Sequence, residues 1–191
     1  MAASPEQGVG PKRPRLVWSG GPGVGKKTLM SRVLGEREHP LPSIVKGGEE
    51  GVWEVKTKYF SASIDSALSM SPNHLVADDV DFSDCEGLVL VFDMCDEASF
   101  GLVKEWEAFI DEVDPAVALC VANKADAAAS TPELDERRDG WIAWCLDKGL
   151  ELVECSALHD EVKGERDAEG LERVIEALGS HTWSGMKVKE G

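Results

Sequence analysis

Basic residues are scarce in this chain. Its 191 residues include 20 Lys and Arg against 36 Asp and Glu, so the formal net charge is -16. Binding to a nucleic-acid backbone needs a basic patch, and anionic lipid likewise attracts basic segments. The composition therefore argues against nucleic acid as a partner and against unaided binding to an acidic membrane surface.

Long apolar runs are also missing. The longest, Leu88–Phe92, is far shorter than the roughly 20 residues that a membrane-spanning helix needs. No signal peptide opens the sequence, no Gly follows Met1, and no Cys lies near the C-terminus to accept a prenyl group. We therefore expect a cytoplasmic protein with no direct membrane anchor.

The cysteines lack the spacing of a metal site or of a disulfide framework. There are five, an odd number, and none forms a C-x-x-C pair. The four histidines are scattered, and none lies four residues from another. The pattern indicates free, mostly buried thiols in a reducing compartment.

Segments with strand and helix character alternate along the chain. The apolar patterns predict strands over 15–18, 52–56, 59–64, 87–93, 116–122 and 150–155, and helices over 26–34, 100–113, 133–148 and 171–178. Continuous apolar strands are typical of a parallel sheet that is buried on both faces. The sequence thus predicts a single α/β domain over 14–186, with helices on both faces, a flexible arm over 1–13 and a tail over 187–191.

Three further expectations concern the C-terminal half of the chain: the inward face of one helix, the end of the last helix and the position of Trp183. The predicted inward face of helix 133–148 comprises Trp141, Ile142, Cys145 and Leu146. Alternatively, Trp141 and Trp144 form a partner surface, because both cannot easily face inward three residues apart. Gly179 is expected to end the last helix. Trp183 either packs back on the domain or marks the start of an extension.

The stretch Ser19–Met30, SGGPGVGKKTLM, is nearly a phosphate-binding loop. The pattern is G-x-x-x-x-G-K followed by Ser or Thr, and Gly20, Gly25 and Lys26 match it. The stretch follows a predicted strand and opens a predicted helix, so backbone N–H groups and the helix N-terminus would face phosphate oxygens. We expect Gly20, Gly23 and Gly25 to shape this cradle and Lys26 to reach the outer phosphates.

A second motif, Asn123-Lys124-Ala125-Asp126, directly follows strand 116–122. An open α/β sheet binds ligands at the carboxyl ends of its strands. Asp126 can accept two hydrogen bonds from the N1–H and N2 amino groups of guanine, a pair of donors that adenine lacks. We expect Asn123 to tie the loops together and the stem of Lys124 to pack on the base.

A third, shorter motif lies at the end of the next strand. Ser156 and Ala157 follow strand 150–155, in order after the two longer motifs. Two residues alone are weak evidence for a binding site, but their position after the glycine loop and N-K-x-D strengthens that evidence. We expect the backbone N–H of Ala157 to meet the O6 atom of guanine.

Together the three motifs resemble those of the small GTPases of the Ras and Rab type. The order of predicted elements matches that family over roughly residues 14–180. The resemblance implies a P-loop NTPase G domain with a six-stranded, mostly parallel sheet, in which the strand at 52–56 is an antiparallel edge. It also implies GDP or GTP as the ligand.

A second resemblance is more specific. The chain is similar, over roughly residues 53–186, to the Rab-like domain of the alpha- and gamma-adaptin-binding protein family, through WEVKTKYFSASI, WIAWCLDKGLELVECS and LERVIEALGSHTWSGM. The resemblance implies binding to clathrin-adaptor subunits, and a role in adaptor assembly and vesicle trafficking. Animal and fungal members of that family have largely lost their nucleotide motifs, whereas this chain keeps the glycine loop and N-K-x-D.

The parts that hydrolyse GTP in the small GTPases are altered here. Lys27 stands where a Ser or Thr hydroxyl would ligate Mg²⁺, and an ammonium group cannot ligate a cation. It would instead repel the metal or neutralise phosphate charge directly. Thr28 comes one residue late and is rotated by about 100° around the helix. Lys27 and Thr28 remain candidate nucleotide-binding residues, and the need for Mg²⁺ is left open.

The D-x-x-G motif of the family is also damaged. The corresponding position reads Asp65-Ser66-Ala67-Leu68, and no Gln follows to orient a water. A literal D-x-x-G, Asp84–Gly87, enters the next strand instead of leaving the third. Asp65 is the one candidate metal residue, acting through water.

From these observations we expect a Rab-like domain that binds guanine nucleotides with impaired hydrolysis. Two alternatives stay open. One is a slow but genuine switch GTPase that uses Asp65 and borrows catalytic groups from a partner. The other is an interaction module that binds no nucleotide.

Overall fold

The computed structural model describes residues 13–34, 44–45, 48–56, 60–69, 72, 82–159 and 170–190. The expected arm over 1–13 lies outside these ranges apart from Arg13. Residues 35–43 and 73–81, on either side of the first hairpin, lie outside them as well.

Strands and helices alternate through the described residues. The strands are β1 (Arg15–Gly20), β2 (Ile44–Val45), β3 (Gly48–Lys56), β4 (Phe60–Ser69), β5 (Cys85–Asp93), β6 (Val117–Asn123), β7 (Glu151–Glu154) and β8 (Lys187–Val188). The helices are α1 (Lys26–Leu34), α2 (Glu97–Lys104), α3 (Glu107–Val113), α4 (Pro132–Lys148) and α5 (Leu171–Ser180).

The strands form a single mixed sheet in the order β2-β3-β4-β1-β5-β6-β7, with β8 paired to β4. Neighbours from β4 through β1, β5 and β6 to β7 are parallel. The β3 strand is antiparallel to β4, as expected, although the two-residue β2 pairs on its outer side. The six longer strands match the expected number, and the two-residue strands β2 and β8 add to them.

Because five strands are parallel, their ends define two opposite edges of the sheet. The carboxyl edge carries the ends of the five strands, at Gly20, Ser69, Asp93, Asn123 and Glu154. The amino edge carries their starts. The register aligns Ser19 with Ser69 at the carboxyl edge and Arg15 with Cys85 at the amino edge.

Helices cover both faces of the sheet, as expected. Along β1, Leu16 and Trp18 belong to one buried cluster and Val17 to the other. The first cluster takes in apolar residues of α1 and α5, and the second those of α2, α3 and α4. Successive side chains of a strand point to opposite faces, so this alternation indicates a strand that is buried on both faces.

The expected helix over 100–113 is two helices. Asp96 begins α2, since its carboxylate accepts a hydrogen bond from the Ala98 N–H at 3.1 Å. The chain leaves α2 after Lys104 and enters α3 at Glu107. Trp106 is buried at this break, with its ring 5.1 Å from that of Phe109. Periodicity continues through the break, so the sequence pattern alone did not reveal it.

The inward face of α4 is narrower than expected. Trp141 and Cys145 are buried, whereas Ile142 is 39% exposed and Leu146 is 75% exposed, so the prediction that both face the core is wrong. The exposed pair lies about 100° around the helix from the buried pair. The alternative of a tryptophan partner surface also fails for Trp141. Trp144 packs its ring edge-on against Phe100, 5.7 Å between centroids.

The C-terminal segment is part of the domain. Helix α5 continues through Gly179 to Ser180, so Gly179 does not end it. Trp183 is buried, donates from Nε1–H to the Leu178 carbonyl at 2.9 Å, and packs edge-on against Trp53. The β8 strand pairs with the start of β4, so the expected tail over 187–191 begins inside the sheet.

Two further observations bear on the expectations from composition. Of the five cysteines, all free, only Cys95 is exposed, which confirms that the thiols are mostly buried. No helix in the described part of the chain combines the length and apolar character needed to cross a bilayer.

Candidate functional site

The glycine loop between β1 and α1 needs its glycines for steric reasons. A Cβ at Gly20 would lie 2.6 Å from the Val91 carbonyl oxygen on the neighbouring strand. Gly23 and Gly25 have φ angles of +74° and +88°, which L side chains rarely adopt. A Cβ at Gly25 would also collide with the side-chain amide of Asn123. The loop is thus fitted closely to β5 and to the N-K-x-D segment.

Lys26 is the first residue of α1 and its side chain is buried. Its ammonium donates to the carbonyl oxygens of Gly20 at 2.7 Å and Gly21 at 3.2 Å. These contacts place the charge inside the loop, against the strand end from which the loop departs. The expectation that Lys26 reaches the outer phosphates stays a prediction, since its ammonium here contacts carbonyls of the loop.

Lys27 and Thr28 follow in the first turn of α1. The Lys27 side chain is exposed and that of Thr28 is half-buried. The first turn contains no acidic residue. Two adjacent cations thus occupy the end of a helix at which the backbone dipole already carries positive partial charge, a place that normally favours anions. An anion in front of the helix would be attracted by both cations.

Asn123 joins the glycine loop to the loop after β7. It is 3% exposed, its Nδ2–H donates to the Val24 carbonyl at 2.8 Å, and its Oδ1 accepts from the Ala157 N–H at 3.0 Å. This geometry agrees with the expectation that Asn123 ties the loops together. It also corrects another expectation. The Ala157 N–H already donates to Asn123, so we no longer assign it to a guanine oxygen.

Lys124 links the glycine loop to the end of β5. Its ammonium donates to the Gly23 carbonyl at 2.7 Å and to Asp93 Oδ2 at 2.8 Å. Lys124 has a φ of +62°, which turns the chain sharply out of β6. Asp93 also accepts from the Cys95 N–H at 2.8 Å through its other oxygen. Sequence reasoning missed Asp93, although an acidic residue directly after an apolar strand was a usable signal.

Asp126 lies on the rim of this cluster. Its backbone N–H donates to the Ser156 hydroxyl at 3.0 Å, which holds the N-K-x-D segment against the loop after β7. The Asp126 carboxylate remains 43% exposed, with Oδ2 at 3.5 Å from His159 Nε2. It is therefore available to accept hydrogen bonds from a ligand.

Two further residues near the site gave no recognisable signal in the sequence. Arg32 of α1 donates to the Ala157 carbonyl at 2.7 Å, so it holds the loop after β7 against α1. Cys95 lies next to Asp93. Burial raises the pKa of the Cys95 thiol and the Asp93 carboxylate raises it further, so this thiol is not activated as a nucleophile.

Asp65 is not at the site, which corrects its assignment as a metal residue. The β4 strand runs on to Ser69, so Asp65 lies within it and aligns with Arg15, the first residue of β1. Gly20 lies five residues further along β1 than Arg15, roughly 16 Å at about 3.3 Å per residue. At the amino edge Asp65 contacts Arg13 at 3.4 Å.

The literal D-x-x-G motif at 84–87 also lies away from the site. Asp84 precedes β5 at the amino edge and lies 3.6 Å from Arg15, so the literal motif at 84–87 cannot reach the glycine loop. Leu68, in the place of the family's glycine, is buried in the core.

Among the residues that the structure describes, those around the glycine loop do not fit a magnesium ion. Mg²⁺ takes oxygen ligands in near-octahedral geometry, usually one or two from the protein with water and phosphate completing the set. Lys27 offers no lone pair, and the Asp93 carboxylate at this edge is paired with Lys124. Thr28 is the one hydroxyl residue of the first turn of α1, and it stands one position beyond Lys27.

The fold and the site together define a mixed α/β protein with a mostly parallel sheet. Its candidate ligand site lies at the carboxyl edge, where the glycine loop, residues 123–126 and residues 156–157 meet. Comparison with protein-family models and with curated proteins found no match to this chain.

Proposed function

We propose that this chain is a P-loop G domain that binds GDP or GTP and hydrolyses GTP weakly or not at all. One observation carries the proposal. Asn123 bonds the glycine loop through Val24 and the third motif through Ala157, across 99 and 34 residues of sequence. Three motifs that together resemble a guanine-nucleotide site thus converge on one edge of the sheet, where α/β proteins bind ligands.

In this proposal the phosphates lie at the glycine loop. The backbone N–H groups of the loop and of the first turn of α1 bind phosphate oxygens, as helix N-termini commonly do. Lys26 lies within the loop and turns its ammonium from Gly20 and Gly21 to the phosphates.

The base lies at the other half of the cluster. The exposed Asp126 carboxylate accepts hydrogen bonds from the N1–H and N2 amino groups of guanine. Lys124, anchored to Gly23 and Asp93, separates the base from the glycine loop. Ser156 supports Asp126 through its backbone N–H.

Impaired hydrolysis is expected from the side chains that the described part of the chain places near the phosphates. Hydrolysis by small GTPases uses a hydroxyl on Mg²⁺ and a group that orients water. Here Lys27 replaces the hydroxyl, and Asp65 lies at the amino edge. The alternative of a slow switch GTPase that uses Asp65 therefore loses its main support.

The nucleotide itself provides the test. Protein denatured after gentle purification should release GDP or GTP, detected by ion-exchange chromatography of the supernatant. Titration should then show preference for GDP over ADP. Asp126→Ala should reduce that preference by about 10- to 100-fold, the loss expected for hydrogen bonds to a charged group.

The matched control is Asp147→Ala, a change at a 76% exposed aspartate on α4. It removes the same charge and should leave nucleotide preference unchanged. Absence of released nucleotide, together with no binding on addition of GDP or GTP, would contradict the proposal.

An interaction module without nucleotide is the second candidate. Its support is that carbonyl groups of the glycine loop already accept hydrogen bonds from two lysines. Gly20 and Gly21 accept from Lys26, and Gly23 accepts from Lys124. Such a loop is satisfied without phosphate. The same release and titration experiments distinguish it from the first candidate.

The resemblance to the adaptin-binding family extends the proposal to a partner. We propose clathrin-adaptor subunits as the partner and a cytoplasmic role in adaptor assembly during vesicle trafficking. Purified adaptor subunits should bind the chain in a pull-down, and repeating it with and without GDP would show whether nucleotide affects the interaction. Failure to retain any adaptor subunit would remove this part of the proposal.

A further inference from the structure

We propose that the nucleotide site works without Mg²⁺ and favours the metal-free nucleotide, with Lys27 supplying the charge that a metal ion would supply. This inference rests on the proposed function, since it concerns how the same site neutralises its phosphates. It begins from the disagreement between the residues at the glycine loop and the needs of a magnesium ion.

The first step concerns the start of α1. Lys26 and Lys27 are its first two residues, and no acidic side chain shares the first turn. Cations at this end oppose the helix dipole, and local choices that conflict with such a rule are typical of functional sites. A polyphosphate in front of the helix would be attracted by both charges.

The second step concerns direction. Lys26 is buried and held against the carbonyls of Gly20 and Gly21, whereas Lys27 is exposed. Successive residues of a helix are separated by about 100°, so the two side chains leave α1 on different sides. The ammonium of lysine is a compact charge on a flexible four-carbon stem. Two lysines at this spacing can therefore contact different oxygens of one polyphosphate.

The third step concerns the metal. A magnesium ion on the β- and γ-phosphates would stand where the residue after Lys26 projects. In this chain that residue adds a positive charge and no oxygen ligand. The aspartates Asp65 and Asp84 are held at the opposite edge of the sheet. A metal–nucleotide complex would thus bring a divalent cation beside an ammonium, which is repulsive.

The test compares nucleotide affinity with and without Mg²⁺, measured by fluorescence titration of a fluorescent GDP and a fluorescent GTP analogue. Wild-type protein in EDTA should bind as tightly as in Mg²⁺, or more tightly. Lys27→Ser should bind about 10- to 100-fold more weakly than wild type in EDTA, as expected for loss of a charged hydrogen-bond donor. Adding Mg²⁺ should restore much of its affinity, because the new hydroxyl is a metal ligand.

The matched control is Lys187→Ser. Lys187 is exposed in β8 and pairs with Ser61 at the amino edge, so this variant removes the same charge far from the loop. It should behave as wild type in both buffers. Lys27 is exposed, so the Lys27→Ser variant should remain folded, as thermal unfolding can verify.

Two results would overturn the inference while leaving the proposed function intact. One is a loss of about tenfold or more in wild-type affinity on addition of EDTA, which would correspond to a contribution from the metal of about 1.4 kcal/mol. The other is a Lys27→Ser variant that binds as tightly as wild type in EDTA. If wild-type protein binds no guanine nucleotide in either buffer, the proposed function and this inference fail together.

Discussion

The two halves of the candidate site differ in what holds them together. In the half that we propose holds the base (the base half), Asn123, Lys124 and Ser156 each make hydrogen bonds that join separate segments of the chain. The proposed phosphate half, Gly20–Thr28, keeps its glycine geometry and its buried Lys26. It presents Lys27 where a metal ligand would be expected.

In the proposed site, positioning of the ligand and metal binding are separate properties. Positioning depends on backbone shape and on hydrogen bonds shared by several loops. Metal binding depends on a hydroxyl or a carboxylate at one particular place. A single lysine can therefore remove the second property and leave the first intact, which favours a binding role over a catalytic one.

The largest expected effect comes from Asn123→Ala, which breaks the base half. Truncation leaves the Val24 carbonyl and the Ala157 N–H without their partner, at about 1–3 kcal/mol for each buried group left unpaired. Urea unfolding should show this loss, and nucleotide binding should disappear.

Ser156→Ala provides the graded comparison, because it removes the hydroxyl that accepts from the Asp126 N–H and leaves Asn123 in place. It should be less destabilising than Asn123→Ala. Equal midpoints for Asn123→Ala and wild type would show that the tie between the loops does not support the fold.

A second prediction addresses the connection between the two halves. Gly25→Ala and Gly23→Ala both place a side chain at positive φ, which costs about 1–2 kcal/mol. Only the Cβ at Gly25 also collides with Asn123, since nothing lies within 4 Å of a Cβ at Gly23. Gly25→Ala should therefore be the more destabilising change in urea unfolding. Similar losses for both variants would mean that the contact with Asn123 adjusts at little cost.

The smallest effect is expected for Asp65→Asn, which tests the assignment of this residue to the amino edge. The contact with Arg13 is 3.4 Å between half-exposed side chains, so its loss should change stability by less than about 1 kcal/mol. Nucleotide affinity and its response to Mg²⁺ should not change.

Asp93→Asn makes the same chemical change at the carboxyl edge, where Asp93 pairs with Lys124 at 2.8 Å. It should weaken nucleotide binding measurably. If Asp65→Asn lost as much nucleotide affinity as Asp93→Asn, Asp65 would belong to the binding site.

Much of the fold followed from local patterns. The apolar strands and the helix starts are properties of short segments, so the alternating α/β order was predictable, whereas the antiparallel strand was an implication of the family resemblance. The glycine loop and the N-K-x-D motif were likewise readable, because each is contiguous. The order of the motifs along a parallel sheet then predicted that they meet at one edge.

Features that depend on neighbours were not predictable in the same way. The length of β4 decides the edge at which Asp65 lies, and strand length is set by pairing with β1 and β3. The exposure of Ile142 and Leu146 depends on how α4 is rotated against the sheet. Trp183 is buried because it packs against Trp53, which lies 130 residues earlier in the sequence.

The sequence by itself determined that a glycine loop, a lysine pair and N-K-x-D exist in an α/β chain. Tertiary structure alone decided their contacts: that Asn123 uses the Ala157 N–H, that Asp93 anchors Lys124, and that Asp65 lies at the amino edge. The physical reason is that a motif fixes local backbone shape, whereas hydrogen-bond partners and strand register are set by segments distant in sequence.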